Sequence, residues 1–355
     1  MTQELTHQIT YKNIHNRFKL NGIHITRDEM FYVAYCFIKE GEPFEQHIGT
    51  FLLDWFDEKS YIELSTSGTT GLPKIIRIEK QAMLDSALAT GDFFGLEPGD
   101  TMLHCLPTNY VAGKMMWVRS FILGLDMKFV EPTSNPLDKI DESFEFCAMV
   151  PLQAKNSLES LKQKKISKLI IGGVRIHKSL EEELVDLPIE IYETYGMTET
   201  ITHIAAKKIG AVAFTTLPNV TVTTDDRQCL VVQAKKISTH DIVTNDIVKL
   251  ISDTQFIWEG RIDNIINSGG IKLLPEKIED KLSKLITRRY FVFGKEDESL
   301  GEKVVLYVEG APFVIEESVF DVLNKYEIPQ EIIFISRFQE TATGKIMRNE
   351  SVLSL

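Results

Sequence analysis

A chain of 355 residues with a formal charge of −12 and 43% hydrophobic residues has the length for two domains and the apolar content for ordinary cores. The negative balance argues against nucleic acid or an anionic membrane as the main partner, while leaving room for a local basic pocket. Cys36, Cys105, Cys147 and Cys229 show no CxxC spacing, so buried free thiols are expected rather than a zinc site or a disulfide framework. The opening MTQELTHQITYKN lacks a basic-then-apolar leader pattern, and no apolar run reaches the roughly 18 residues of a membrane span. A cytoplasmic protein without membrane insertion is the expectation.

In chain order, FYVAYCFIKEG and PFEQHIGTFLLDWF carry apolar residues at helical spacing, as at Phe44, Ile48, Phe51, Leu52 and Trp55. A strand at 61 to 64 then leads to the stretch STSGTTGLPK and a β-branched run. A helix from 79 to 94 follows. Next comes an alternation of strands (101 to 106, 127 to 131, 145 to 150, 168 to 172, 189 to 193) and helices (112 to 124, 151 to 163, 178 to 186), which predicts a mainly parallel, helix-covered sheet. Ligands of such sheets sit beyond the carboxyl ends of the strands, where Gly172-Gly173 and Tyr195-Gly196 fall. Residues 209 to 260 read as a small β subdomain. The remainder, with a helix at 275 to 285, strands at 289 to 294 and 303 to 309 and a helix at 316 to 325, reads as a small α+β domain. The expected division is 1 to 260 and 261 to 355.

Four stretches carry chemistry. In Ser65-Thr66-Ser67-Gly68-Thr69-Thr70-Gly71 through Lys74, hydroxyls, backbone N–H groups and glycines could turn many small donors toward one phosphate. This is not a Walker loop, because Pro73 precedes Lys74 and strand-like residues follow. In YETYGMTET, Tyr195 offers a flat ring to adenine, Gly196 lets the backbone approach, and Glu199 is a hard oxygen ligand suited to Mg2+ carried by ATP phosphates. Asp246 can accept from both ribose hydroxyls, with Arg261 beside it. Lys345, in the Thr- and Gly-flanked TATGK, could bridge a carboxylate and an α-phosphate.

STSGTTGLPK, YETYGMTET, GRIDNIINSGGIKLLPEKIE and TATGKIMRN, in this order, resemble the signatures of the adenylate-forming superfamily of acyl-CoA synthetases, luciferases and peptide-synthetase adenylation domains. The resemblance runs from Tyr61 to the C-terminus. It implies that the loop from Ser65 to Lys74, with Gly173, Tyr195, Gly196, Asp246 and Arg261, binds ATP, and that Thr198 meets the acyl carboxylate. It further implies that Glu199 holds the metal, that Asp263 is the hinge of a mobile small domain, and that Ser268, Gly269 and Gly270 face the pantetheine arm of coenzyme A. Asn245 stands where the family has Gly before Asp246, and tolerates the same left-handed backbone. The region before the phosphate loop is shorter than in most members, as though much of an N-terminal subdomain were lost.

Within the superfamily, LPTNYVAGKMMWVRSFILG and the short preface most resemble the 2-succinylbenzoate:CoA ligases of menaquinone biosynthesis. Asn109-Tyr110 replaces an aromatic-His pair at the pocket gate. Such an acid needs a second cation besides the reacting carboxylate's partners, and Lys114, Arg119 and Arg175 are candidates, Lys114 foremost because it follows Gly113 at a helix start. Tyr110 and Gly172 complete the expected acid site. The implied activity joins a small-molecule carboxylic acid to CoA at the expense of ATP. Loading of a carrier-protein thiol and an inactive nucleotide-binding relative stay open as alternatives.

Overall fold

The computed structural model describes residues 9–66, 74–341 and 344–353. Two short strands, Lys19–Leu20 and Ile23–His24, lie at the edge of the main sheet and precede two antiparallel helices. The helix Arg27–Glu40 begins at Thr26, whose hydroxyl and the Glu29 carboxylate form a reciprocal capping box, and the helix Pro43–Phe56 buries Ile48, Phe51, Leu52, Trp55 and Phe56. Their apolar faces close over one side of the main sheet. The strands Tyr61–Thr66 and Lys74–Glu79 form a separate hairpin, with Thr66 opposite Lys74. Ser67, Gly68, Thr69, Thr70 and Gly71, the expected phosphate-binding residues at its tip, lie outside the described residues.

Phe18, Met115, Trp117, Phe121 and Met127 fill the core between the helices Lys80–Phe94 and Val111–Leu123 and the sheet. Each of those two helices stops at a left-handed glycine, Gly95 or Gly124. The sheet has 13 strands. One half is parallel and holds Thr101–His104, Asp126–Phe129, Phe144–Met149, Ile166–Ile171 and Glu190–Gly196. At Glu190–Gly196 the sense reverses: His203–Lys208 pairs antiparallel with it, and antiparallel strands continue to the edge. Most of the strands of residues 209 to 260, read as a small β subdomain, continue the same sheet as its antiparallel half. Phe214 and Phe256, stacked at 5.5 Å, bind this half to its own core of Val222, Leu230 and Val232.

Two expected helices are corrected. Residues 151 to 163 break into Pro151–Asn156 and Leu158–Lys162, because the Ser157 hydroxyl bonds to Asn135 and the backbone there (φ −98°, ψ 6°) leaves helical geometry. At 316 to 325 there is only the 3₁₀ segment Glu317–Val322. Phe320 and Leu323 are the buried residues there, and their three-residue spacing matches a 3₁₀ turn.

From Ile266 onward the chain forms a five-stranded sheet, in which Tyr290–Asp297 and Gly301–Glu309 pair over eight residues and Glu331–Ile335, absent from the sequence-based reading, adds a parallel strand. The helix Pro275–Leu282 packs on it through Ile278 and Leu282. No described helix is long and apolar enough to cross a membrane. All four cysteines are free, and Cys105, Cys147 and Cys229 are buried.

Candidate active site

Ile166–Ile171 and Glu190–Gly196 run parallel with Ile171 opposite Glu193, so their carboxyl ends finish on one rim. Gly172 leaves the first strand with Thr194 against it: a Cβ at Gly172 would lie 2.4 Å from the Thr194 hydroxyl oxygen. Strand alternation then sends Tyr195 and Gly196 to opposite faces. The Tyr195 ring packs edge-on to Phe256 at 5.3 Å, and its hydroxyl donates to Asp246 Oδ2 at 2.6 Å. Asp246 is 7% exposed and sits directly opposite Arg261 on the neighbouring strand.

Asp246 is held from several sides. Trp258 Nε1 donates to its Oδ1 at 3.1 Å, and Arg261 approaches the same oxygen at 3.7 Å while bonding Asp263 at 2.6 Å. Each carboxylate oxygen has two lone pairs, so both keep capacity for a further donor such as a ribose hydroxyl. Burial, then the Asp246 charge, pushes the Tyr195 phenol far above its ordinary range, so it stays a donor. Asn245 is not left-handed. It lies in the strand Ile242–Ser252 and donates to Asp263 Oδ1 at 3.0 Å, so it braces the expected hinge residue instead of freeing the backbone.

Lys345 enters this cluster from the C-terminal unit. Its loop closes on itself through Gly344 N–H to Thr341 O and Lys345 N–H to the Thr341 hydroxyl, with Gly344 left-handed at φ 81°. Loss of solvent, followed by repulsion from Arg261, lowers the Lys345 ammonium below the usual lysine value, while Asp246 and Asp263 pull it back up. Lys345 thus stands within the electrostatic reach of Asp246, Arg261 and Asp263.

On the other face, Gly196 is pressed against the next strand: a Cβ there would be 2.3 Å from Thr202 O. Between them runs the 3₁₀ turn Thr198–Thr200, with Thr198 half-buried and Glu199 exposed. The chain returns through Ile201 at φ 68° and ψ −58°, closed by Thr202 N–H to Thr200 O at 2.7 Å. That is a γ-turn of the rare hand, costly for a β-branched residue and held here because Ile201 is buried. Its effect is to aim Thr202 at Arg119.

Arg119 is 2% exposed. Its neighbours are neutral and distant: Thr90 Oγ1 at 3.4 Å, Met116 Sδ at 3.4 Å, Thr202 Oγ1 at 3.3 Å and His203 Nδ1 at 3.4 Å. No carboxylate pairs with it among the described residues, and burial lowers its pKa to about 9. Burial, with the Arg119 charge added, also holds His203 neutral.

The other two basic candidates are differently placed. Arg175 is spent on Asp280 at 2.7 Å. Lys114 does turn inward, but its ammonium donates to Thr108 O at 2.7 Å and lies 5.2 Å over the Phe51 ring. Burial brings its pKa down to about 8, with Asp54 opposing. Tyr110 stands half-buried at the start of that helix. Because the unfolded chain keeps a normal lysine, it binds more protons than the fold between about pH 8 and pH 10.4, so stability should rise with pH there. Lys114→Met is expected to remove a slope worth on the order of 2–3 kcal/mol across that window, read from urea melts at pH 7.5 and 10. An identical pH difference in both proteins would count against the buried ammonium.

Ser268, Gly269 and Gly270 are not gathered with these groups. They form the tip of the hairpin Ile266–Ser268 and Ile271–Leu273, where Gly269 (φ 57°) and Gly270 (φ 81°) make a turn that demands positive φ at both positions. Ser268 itself is buried. Trp258, Thr202 and His203 were missed by motif reading. Trp258 lies two residues before the GRID segment, and strand pairing of Val248 with Trp258 would have placed it near Asp246. Nothing local marks Thr202 and His203, because their role comes from the γ-turn.

Comparison with known proteins decides the family. Residues 61–236 match the model of the AMP-binding enzymes. An AMP-forming acyl-CoA synthetase/AMP-acid ligase II-like protein of Dyadobacter fermentans is 31% identical, with 88% of this chain and 95% of that one covered, at a TM-score of 0.59. The chain belongs to the AMP-binding enzymes. This AMP-binding enzyme is also 26% identical to the 2-succinylbenzoate–CoA ligase of Bacillus cytotoxicus over 80% of its own length and 68% of the relative's. The o-succinylbenzoate CoA synthetase of Bacillus subtilis, solved with its acyl-adenylate intermediate, shares the fold at a TM-score of 0.72 and 21% identity, with 81% and 68% covered. Its class is that of the AMP-forming acid–CoA ligases.

Proposed function

We propose that this enzyme activates 2-succinylbenzoate as its acyl-adenylate and passes the acyl group to coenzyme A. The observation that carries the reading is Arg119, a buried guanidinium without a carboxylate partner among the described residues, reached through Thr202 from the strand end that holds Tyr195 and Gly196. Leaving such a charge unpaired in the interior is costly, and a second carboxylate on the substrate would satisfy it. The named similarity to 2-succinylbenzoate–CoA ligases supports the same acid.

A carboxylate is unreactive toward thiols because its leaving group would be oxide. Attack of its oxygen on the α-phosphate of ATP expels pyrophosphate and installs AMP, a stable leaving group. In this reading Asp246 and Arg261 fix the ribose, Tyr195 and Gly173 border the adenine, and Lys345 neutralises charge between carboxylate and α-phosphate beside Thr198. Among the described residues no three acidic, His or Cys side chains converge, so Mg2+ would arrive on the phosphates with Glu199 as a protein ligand. In the second step the CoA thiolate attacks the acyl carbon and AMP departs. The hairpin at Gly269-Gly270 would have to come to the site for that step, with Asp263 the place where the chain turns.

Pyrophosphate release should be measured with ATP and Mg2+ across 2-succinylbenzoate, benzoate, succinate, a medium-chain fatty acid and an amino acid, with and without CoA. Release confined to 2-succinylbenzoate, with a CoA thioester as product, is expected. Release with a monocarboxylate in preference would discard the assigned acid and the role of Arg119.

A further inference from the structure

Among the described residues, several side-chain contacts tie the C-terminal sheet and its helix to the main sheet, four of them as follows. Lys284 meets Glu182 at 2.6 Å and Lys277 meets Glu259 at 3.0 Å, while His177 lies edge-on to Tyr290 at 6.3 Å. The fourth, Arg175 to Asp280 at 2.7 Å, differs in what stands behind it on both sides.

On the main-sheet side, Arg175 follows Gly172-Gly173 on the rim of the site. Ile176 N–H donates to Glu193 Oε1 at 3.2 Å, and Lys207 holds the same carboxylate at 3.0 Å, so the loop is pinned. The guanidinium lies 5.0 Å over the Trp258 ring, whose Nε1 holds Asp246. A cation stacked on an indole with a carboxylate at its end has little freedom to turn away. On the other side, Asp280 belongs to the helix Pro275–Leu282, and Arg348 ties that helix to the Lys345 loop, reaching Glu279 at 3.0 Å and Glu276 at 3.6 Å. Lys345 is three residues from Arg348 and moves with the same piece.

We propose that Arg175 and Asp280, resting on Trp258, are a latch that keeps the C-terminal sheet, and the Lys345 loop tied to its helix by Arg348, in one orientation toward the main sheet, and so sets the balance between adenylate formation and thioester formation. The proposal deepens the two-step reading above and rests on it. Both are positioning residues: neither touches the reacting atoms. Asp280 reports to the site through Arg175 and Trp258, and Lys345 is carried by the helix that Asp280 anchors. An ion pair that is about half exposed on each side is strong enough to bias an orientation and weak enough to release within a catalytic cycle.

The test uses the full chain and the variants Asp280→Asn and the exchange Arg175→Asp with Asp280→Arg. The protein has three tryptophans, of which Trp55 and Trp117 are fully buried, so acrylamide quenching of fluorescence reports Trp258 without needing any substrate. Asp280→Asn should quench more readily than wild type. It should also slow ATP–pyrophosphate exchange about fivefold, the upper range for such a pair, with thioester formation from supplied acyl-adenylate unchanged or faster. The exchanged pair should restore the balance of the two half-reactions, but not the shielding of Trp258, because it takes the guanidinium off that ring. Unaltered quenching and an unaltered ratio of the two half-reactions in Asp280→Asn would overturn the latch, as would equal loss of both half-reactions without rescue by the exchange. If wild type turns over no acid, the assigned substrate falls, while quenching raised in Asp280→Asn still upholds the latch.

Discussion

Lys345→Ala is expected to slow acyl-adenylate formation by about 100-fold or more, the loss typical of one donor aimed at developing charge, and to leave thioester formation from supplied acyl-adenylate within about twofold. The reasoning rests on where the ammonium stands. It is brought from a loop of the C-terminal unit into the field of Asp246, Asp263 and Arg261, and its pKa is lowered by lost solvent and by Arg261. Attack on the α-phosphate gathers negative charge between carboxylate and phosphorus, where a cation contributes more than it does to bound ATP. The thioester step involves a neutral thioester product and an AMP that is already formed, so the same cation has no comparable task. Single-turnover assays of each half-reaction separate the two. Equal losses in both would mean that Lys345 only maintains the fold of its loop.

Arg119→Met should produce two opposite changes. Its kcat/KM for 2-succinylbenzoate is expected to fall about 100-fold, in line with breaking a buried charge pair, while the melting temperature of the free enzyme rises. In the free protein the guanidinium has only long bonds to Thr90, Met116, Thr202 and His203, which do not replace the water it has lost. An apolar side chain of similar volume removes that cost. The loss should be confined to acids with a second carboxylate, so the ratio of kcat/KM for 2-succinylbenzoate to benzoate should collapse toward one. An unchanged ratio would reassign Arg119 to a purely structural place, and Arg119→Lys, with a shorter reach and a single point charge, should recover only part of the loss.

Much of the architecture was legible because it repeats on a short period. The parallel half of the sheet announced itself through alternating apolar runs and capped helices, and the strand starts fell within about two residues of the observed ones, as at Thr101–His104 and Phe144–Met149. The departures have local causes. Ser157 interrupted an otherwise helical pattern by bonding to Asn135, and Glu317–Val322 became a 3₁₀ turn because Phe320 and Leu323 had to reach one core. The antiparallel half read as a small β subdomain because its strands are short and separated by turns, and pairing of His203–Lys208 with Glu190–Gly196 makes it continuous with the rest.

At the site the division follows the range of the interactions. Tyr195, Glu199, Asp246, Arg261 and Lys345 could be singled out from the linear chain, since residue types of that chemistry stand in short stretches whose order matches the family. Which side chains brace them could not. Trp258 holds Asp246 only because two strands pair with a shifted register, and Asn245 serves Asp263 because its strand is extended. From the linear chain Lys114 stood ahead of Arg119, because it follows Gly113 at a helix start. Burial beside Thr202, through a strained turn at Ile201, distinguishes Arg119, while Lys114 finds a carbonyl and an aromatic ring.

The sequence by itself determined the helix and strand order of the parallel half, the residue types of the candidate nucleotide site and the family resemblance, because these depend on periodicity and on residues near one another in the chain. The tertiary structure alone decided which cation lies buried without a carboxylate partner among the described residues and how Asp280, Arg175 and Trp258 connect one sheet to the other. Those relations join residues up to about a hundred positions apart, and desolvation, which gives them their energy, has no value until the chain has folded.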